Sequence, residues 1–251
     1  MSNTIRIAQI TDCHLPADPD KTYRGIYPYA NLERLLDKVI DWKPDLLLAT
    51  GDLSEDGSPA SYGALQQFFR PLQIPVLALP GNHDEAGLLD KNFPGSPVNN
   101  VQVSTHDSWQ IIRLNSCLPG KPHGELGAES LDGLKKALKQ GTGRPRVLAV
   151  HHQPLEVGSP WIDKYRMFGP EAFLELIDQH EDIKAVVWGH VHQVFDQRRN
   201  STAMLGSPSS AINSLPGASK FTPDPAGPAF RWLELGEGGA LKTGIISVDS
   251  D

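Results

Sequence analysis

With 251 residues, 39% hydrophobic and 21% charged, the chain can bury a substantial core as one large domain or two small ones, and its balance is that of a globular protein. A formal net charge of −7, with acids and bases interspersed, disfavours a nucleic acid partner but leaves room for a small anionic substrate beside a bound cation. No run approaches the ~20 apolar residues of a membrane span, the start MSNTIRIAQI lacks the pattern of a signal peptide, and two cysteines make no disulfide framework, so a cytoplasmic protein is expected.

In chain order, IRIAQI before Thr11-Asp12 is a continuous apolar run of the kind buried on both faces of a sheet. NLERLLDKVIDW puts Leu32, Leu35, Leu36, Val39 and Ile40 on one helical face. DLLLAT before Gly51-Asp52 is a second strand, and Ser58-Pro59 opens a helix through Tyr62, Leu65, Phe68 and Phe69. VLALP before Gly81-Asn82 is a third strand, and residues 101 to 116 read as two strands around a turn. A helix marked by Leu131, Leu134 and Leu138 precedes the strand RVLAV, which ends at His151. A further helix carries Phe173, Leu174 and Ile177, and AVVW before Gly189-His190 is the fifth buried strand. After residue 193 come short β signals between Pro, Gly and Ser, closing with a hairpin in FRWLELGEGGALKTGIISV. This alternation predicts an α/β fold. We expect a single domain over residues 1–251 with two sheets, the second built partly from the C-terminal third.

All five buried strands end in chemistry: Asp12 and His14; Asp52; Asn82 and His83; His151 and His152; His190 and His192. The carboxyl ends of strands in an open α/β sheet face one crevice. Side chains two apart on extended backbone point the same way, and Gly51, Gly81 and Gly189 are expected to make the turns that aim these groups inward. Imidazole, carboxylate and amide without thiolate suit manganese, iron, zinc, cobalt or nickel. Seven ligands exceed one tetrahedral ion and fit two octahedral ions about 3.5–4 Å apart that share a carboxylate, an arrangement that clamps attacking and leaving oxygens in phosphoryl transfer. Asn82 is then a ligand, and His83 handles protons. His152 is either a support for the ligands or a loop residue. His123, in the KPHGEL loop, is either a solvated loop histidine or one that approaches substrate, and Trp161 and Tyr165 either cap a base or pack. His106 and His180 read as surface residues, and Cys13 as a buried thiol.

The ordered set D-x-H (Asp12 to His14), G-D (Gly51-Asp52), G-N-H-D (Gly81 to Asp84), H-H (His151-His152) and G-H-x-H (Gly189 to His192) resembles the calcineurin-like metallophosphoesterases. The stretches QITDCHLP, ATGDLSEDGSPASY, RLNSCLPGKPHGEL and AVHHQPLEVGSPWID are similar to the bacterial class III cyclic nucleotide phosphodiesterases, the cAMP phosphodiesterase group. The resemblance implies a four-layer αββα sandwich with two central mixed sheets. It implies one metal site of Asp12, His14, Asp52 and His192 and another of Asp52, Asn82, His151 and His190, with Asp52 bridging. His151 matches the family position, although its neighbour His152 keeps the choice open. Asn82 and His83 would meet the substrate phosphate, and His83 would assist the leaving group. The related phosphatases orient that histidine with an aspartate three residues after the bridging one; here the place holds Glu55, one methylene longer, and then Asp56. Glu55, Asp84 and His152 are the expected supports of the site.

The implied activity is hydrolysis of phosphodiesters, preferably a 3′,5′-cyclic nucleotide such as cAMP, by in-line attack of a metal-bridging hydroxide. Iron and manganese are the expected metals, with zinc, cobalt or nickel as alternatives. A phosphodiesterase or phosphatase of broader specificity and a non-enzymatic, metal-stabilised module are the competing readings. The expected partner is a small phosphodiester or nucleotide, with no nucleic acid and no membrane, and the protein is expected to be a monomer or homodimer.

Overall fold

The computed structural model describes residues 4–98, 101–141 and 143–249. IRIAQI forms strand β1 (Ile5–Ile10), whose alternation sends Ile5 and Ile7 to one face and Ala8 and Ile10 to the other. Helix α1 (Pro28–Trp42) buries Leu32, Leu35, Leu36 and Val39 and stops at Lys43, which takes left-handed backbone. Ile40, expected on the same face, is 47% exposed because it lies at the edge of that stripe, beyond the cover of the sheet. Strand β2 (Leu46–Thr50) is fully buried, and helix α2 (Pro59–Phe69) starts where the Ser58 side chain accepts from the Ser61 amide. After β3 (Val76–Leu79) comes α3 (Ala86–Asn92), a short helix missed by the periodicity, begun by the Glu85 carboxylate accepting from the Gly87 and Leu88 amides.

Strands β4 (Val101–His106) and β5 (Trp109–Leu114) form the expected hairpin. Then follow α4 (Ala128–Gln140), β6 (Arg146–Ala149), the single turn α5 (Pro160–Asp163), α6 (Glu171–Asp178) and β7 (Ile183–Trp188). The remaining strands are β8 (Phe195–Arg199), β9 (Thr202–Gly206), β10 (Ala229–Leu235) and β11 (Leu241–Ser247).

These strands make two mixed sheets, in the orders β11-β10-β1-β2-β3 and β4-β5-β6-β7-β9-β8. The C-terminal third divides between them. Strands β8 and β9 join the second sheet, but the closing β10–β11 hairpin extends the first, where Leu233 pairs with Ile7. Burial explains the choice, since Leu233 and Leu235 join Ile5 and Ile7 in the apolar layer between the sheets. Helices α1, α2 and α3 cover the outer face of the first sheet, and α4 and α6 that of the second. The result is the four-layer αββα arrangement.

Strands β1, β2 and β3 run parallel in one sheet, as do β6 and β7 in the other. Buried Gln9 ties the two sets together near their carboxyl ends, donating to Thr50 Oγ1 at 3.0 Å and to the Trp188 carbonyl in the opposite sheet at 3.2 Å. Among the described residues no helix is long and apolar enough to cross a membrane.

Candidate metal centre

The strand ends do not continue as extended backbone. Asp12, His14, Asp52, His190 and His192 all have positive φ, between 47° and 66°. Aspartate and histidine tolerate this region better than most residues, and such outliers concentrate at functional sites. The expectation that two-residue spacing on extended chain aligns Asp12 with His14, and His190 with His192, is therefore wrong in its geometry. Left-handed turns at both members of each pair bring them together. The glycines also divide their work differently from the expectation. Gly51 does turn with φ +92°, whereas Gly81 and Gly189 serve close approach. A Cβ on Gly81 would sit 2.2 Å from the Asp52 amide nitrogen, and one on Gly189 would sit 2.0 Å from Thr11 Oγ1.

The side chains then converge. His192 Nε2 lies 3.4 Å from Asp12 Oδ1 and 3.3 Å from His14 Nε2, which is 3.9 Å from Asp52 Oδ2. On the other side of Asp52, His151 Nε2 is 3.4 Å from the same Oδ2. The rings of His151 and His190 are 5.1 Å apart between centroids. Of the two adjacent histidines, His151 is the one that faces Asp52. His152 turns to Ser116, with Nδ1 2.9 Å from the Ser116 hydroxyl.

Each imidazole is oriented by its other nitrogen. His14 Nδ1 donates to Glu55 Oε2 at 2.8 Å, His151 Nδ1 to the Thr50 carbonyl at 2.8 Å, and His192 Nδ1 to the Ile212 carbonyl at 2.7 Å. His190 donates from Nε2 to the Tyr165 carbonyl at 3.2 Å, leaving Nδ1 as its lone pair. Carbonyl and carboxylate partners of this kind fix the tautomer of metal-binding histidines. Asp12 is held by the Thr11 hydroxyl at 2.7 Å and the His190 amide at 3.0 Å.

The same residues test whether metal ions fit. The Nε2 atoms of His14 and His192 face each other, while His151 Nε2, His152 Nε2 and Asn82 Oδ1 are buried with no hydrogen-bond partner, and His151, His152 and His190 cluster. Buried polar atoms left without partners near two buried carboxylates are costly unless a cation joins them. Burial pushes the pKa of His14 and His190 down and keeps them neutral, as ligands must be. Burial opposes ionisation of Asp12 and Asp52, yet His192 beside the first and His151 beside the second hold both below the usual carboxylate range. In return Asp52 overcomes burial and raises His151 to about 9, a proton that a cation would displace. The donor set fits two cations.

His83 stands at the edge, its side chain 37% exposed and its ring edge-on to His14 at 4.9 Å. Glu55 Oε2 reaches His83 Nδ1 at 3.2 Å as well as His14 Nδ1, so the extra methylene spans both rings. Burial works against a charged His83, but the Glu55 and Asp52 carboxylates raise its pKa to about 10; burial likewise opposes ionisation of Glu55, which His14 and His83 hold at about 2. Asp84 touches no donor side chain. It accepts from the amides of Leu53, Ser54 and Gly81 and from the Tyr62 hydroxyl, fastening the Asp52 turn to the Asn82 turn. Burial and the Asp52 charge raise it to about 6.

Tyr62 read from sequence only as core, Thr11 and Ser116 lay inside the stretches that carry the resemblance without a role of their own, and Tyr23 gave no signal. Tyr23 stacks on His14 with centroids 4.1 Å apart and planes 12° apart. Cys13 is fully buried, its thiol pushed up by burial and by Asp12. His123 packs near Phe168, and His180 donates to its own helix at the Leu176 carbonyl.

A family profile described as calcineurin-like phosphoesterase matches residues 5–194. The chain is 35% identical to the 3′,5′-cyclic adenosine monophosphate phosphodiesterase CpdA of Pseudomonas aeruginosa, over 98% of this chain and 91% of the other. It is 37% identical to a 3′,5′-cyclic-nucleotide phosphodiesterase of Nostoc sp., over 97% of this chain and 92% of the other. Among solved structures it is similar to a dimetal phosphatase from Danio rerio, with a TM-score of 0.70 at 12% identity over 97% of this chain and 98% of that one. At that identity the likeness concerns the fold.

Proposed function

The chain belongs to the calcineurin-like phosphoesterases, metal-dependent hydrolases, and we propose that it works as one domain with a binuclear metal centre, hydrolysing a phosphodiester whose preferred form is a 3′,5′-cyclic nucleotide such as cAMP. The observation that carries this reading is the pair of donor sets meeting at Asp52, with the His83–Glu55 pair beside them. Asp12, His14, Asp52 and His192 would hold one ion, and Asp52, Asn82, His151 and His190 the other. Oxygen and nitrogen donors favour iron or manganese, with zinc, cobalt and nickel as alternatives. Bound there, two cations would supply positive charge to the phosphate oxygens and acidify the attacking water.

The chain's own groups do the rest. Glu55 holds His83 at Nδ1, so the opposite nitrogen, Nε2, is the proton donor for the departing ribose oxygen. Asn82 and His83 bind the phosphate beside that nitrogen, and Asp84 keeps their turn against Asp52. His152, neutral and fixed by Ser116, supports the wall behind His151 and His190. Cyclic nucleotides are the substrate class of both relatives, each matched over nearly the whole length. Every proposed donor comes from one chain, so the site is complete in a monomer, and a homodimer is the other expected state. The partner is a small phosphodiester in the cytoplasm, not a nucleic acid.

A hydrolysis panel tests the reading. With manganese or iron loaded, cyclic nucleotides and aryl diesters are expected to turn over faster than the matching monoesters, and a cyclic nucleotide to give a single nucleoside monophosphate. Dominant monoester turnover would refute the substrate class.

A further inference from the structure

Beyond the donors, the crevice has a rim whose construction the reaction at phosphorus leaves unexplained. Tyr23, Arg24, Gly25 and Ile26 close a two-residue hairpin, with Tyr23 and Ile26 exchanging backbone hydrogen bonds of 2.9 and 3.0 Å. Both central residues have positive φ, 47° at Arg24 and 87° at Gly25. Such turns favour Asn-Gly, so an arginine in the first place is a departure that its side chain must justify. The turn is anchored on the metal centre through the stack of Tyr23 on His14.

The arginine side chain is pinned. Its Nε donates to the Tyr23 hydroxyl at 3.0 Å, and its Cζ lies 4.0 Å from the Phe221 ring centroid and 5.3 Å from that of Tyr23. Phe221 in turn stands edge-on to His192 at 6.1 Å and to Trp161 at 5.3 Å. The guanidinium is exposed, and among the described residues it has no carboxylate partner. Trp161, beside Phe221, is buried, with an indole N–H that has no acceptor. An arginine laid on an aromatic ring and fixed at Nε presents a flat cationic plane outward, already ordered before anything binds. It stands on the His14 side of the centre, where His83 also lies, and so on the side toward which the ribose oxygen departs.

We propose that Arg24, backed by Phe221, is the nucleobase-recognition residue, the base stacking on the open face of the guanidinium while the phosphate sits at the metal centre. This rests on the nucleotide reading above. A base takes such a plane as readily as an aromatic ring. An ammonium has the charge but not the plane, so lysine is no substitute.

The test is calorimetric titration of manganese-loaded protein with AMP and, separately, with inorganic phosphate. Wild type is expected to bind AMP more tightly than phosphate. Arg24→Ala and Arg24→Lys should both weaken AMP roughly 10- to 100-fold and leave phosphate unchanged. Phe221→Ala should weaken AMP in the same direction, and Phe168→Ala, at the exposed aromatic beside His123, should not. Unchanged AMP affinity in Arg24→Ala, restoration by lysine, parallel loss of phosphate, or loss at Phe168 alone would each overturn the subsite. A wild type that shows the expected AMP pattern without turning over any cyclic nucleotide would refute the proposed reaction and uphold the subsite.

Discussion

The Nε2 atoms of His14 and His192 lie 3.3 Å apart, and the other nitrogen of each ring is already engaged, His14 Nδ1 with Glu55 and His192 Nδ1 with the Ile212 carbonyl. Two ring nitrogens held face to face beside Asp12 and Asp52 suit a cation, and Asp52 Oδ2 lies 3.4 Å from His151 Nε2 on its other side, where a second cluster of donors gathers.

Purified protein should therefore carry two transition-metal ions per chain by elemental analysis. Asp52→Ala, which removes the shared carboxylate, should empty or weaken both sites at once. Chelation should lower the melting temperature on the order of 5–10 °C, as loss of a tight ligand does in a domain of this size. One ion or none in active protein would refute the binuclear centre.

His83→Ala separates proton donation from metal binding. General acid help is worth ~10²–10⁴-fold. The variant should keep both metals and lose activity in that range on a cyclic nucleotide, whose ribose oxygen leaves poorly. It should lose much less on a nitrophenyl diester. Equal losses would mean that His83 binds phosphate charge, and metal loss would mean that it is a ligand.

Gly81 and Gly63 should respond in opposite directions to the same added methyl. Gly81→Ala drives a Cβ into the Asp52 backbone 2.2 Å away, so metal content and activity should both collapse. Gly63→Ala, inside α2 with nothing within 4 Å, should stabilise the protein by about 0.5–1 kcal/mol in urea unfolding. A tolerated alanine at Gly81 would show that the Asp52 turn can move.

Tyr62→Phe deletes a hydroxyl that donates to Asp84 at 3.0 Å and accepts from the Glu85 amide at 2.8 Å. Asp84 would keep its three amide donors and the Glu85 amide would lose its acceptor, which should cost about 1–3 kcal/mol. Chemical denaturation measures it, and an unchanged midpoint would show that Tyr62 does not fasten these turns.

Much of this was legible in the chain because buried parallel strands are nearly pure Val, Ile, Leu and Ala, and because each ends abruptly in polar residues. Asp12, Asp52, His151 and His190 declared themselves by that contrast. Their backbone did not, since left-handed turns at non-glycine residues leave no periodic trace. The αββα layering was implied only by the family resemblance, and the β10–β11 hairpin joined the first sheet through a pairing with β1 more than 200 residues away in sequence. Tyr23 and Arg24 were silent because their roles come from ring contacts between distant segments.

The most direct measurement is the initial rate at which manganese-loaded protein converts 3′,5′-cyclic AMP to nucleoside monophosphate, wild type against Asp52→Ala. Wild type should turn over to a single monophosphate, and the variant should fall by several orders of magnitude. A wild-type rate no higher than that of Asp52→Ala would contradict a cyclic nucleotide phosphodiesterase built on this centre.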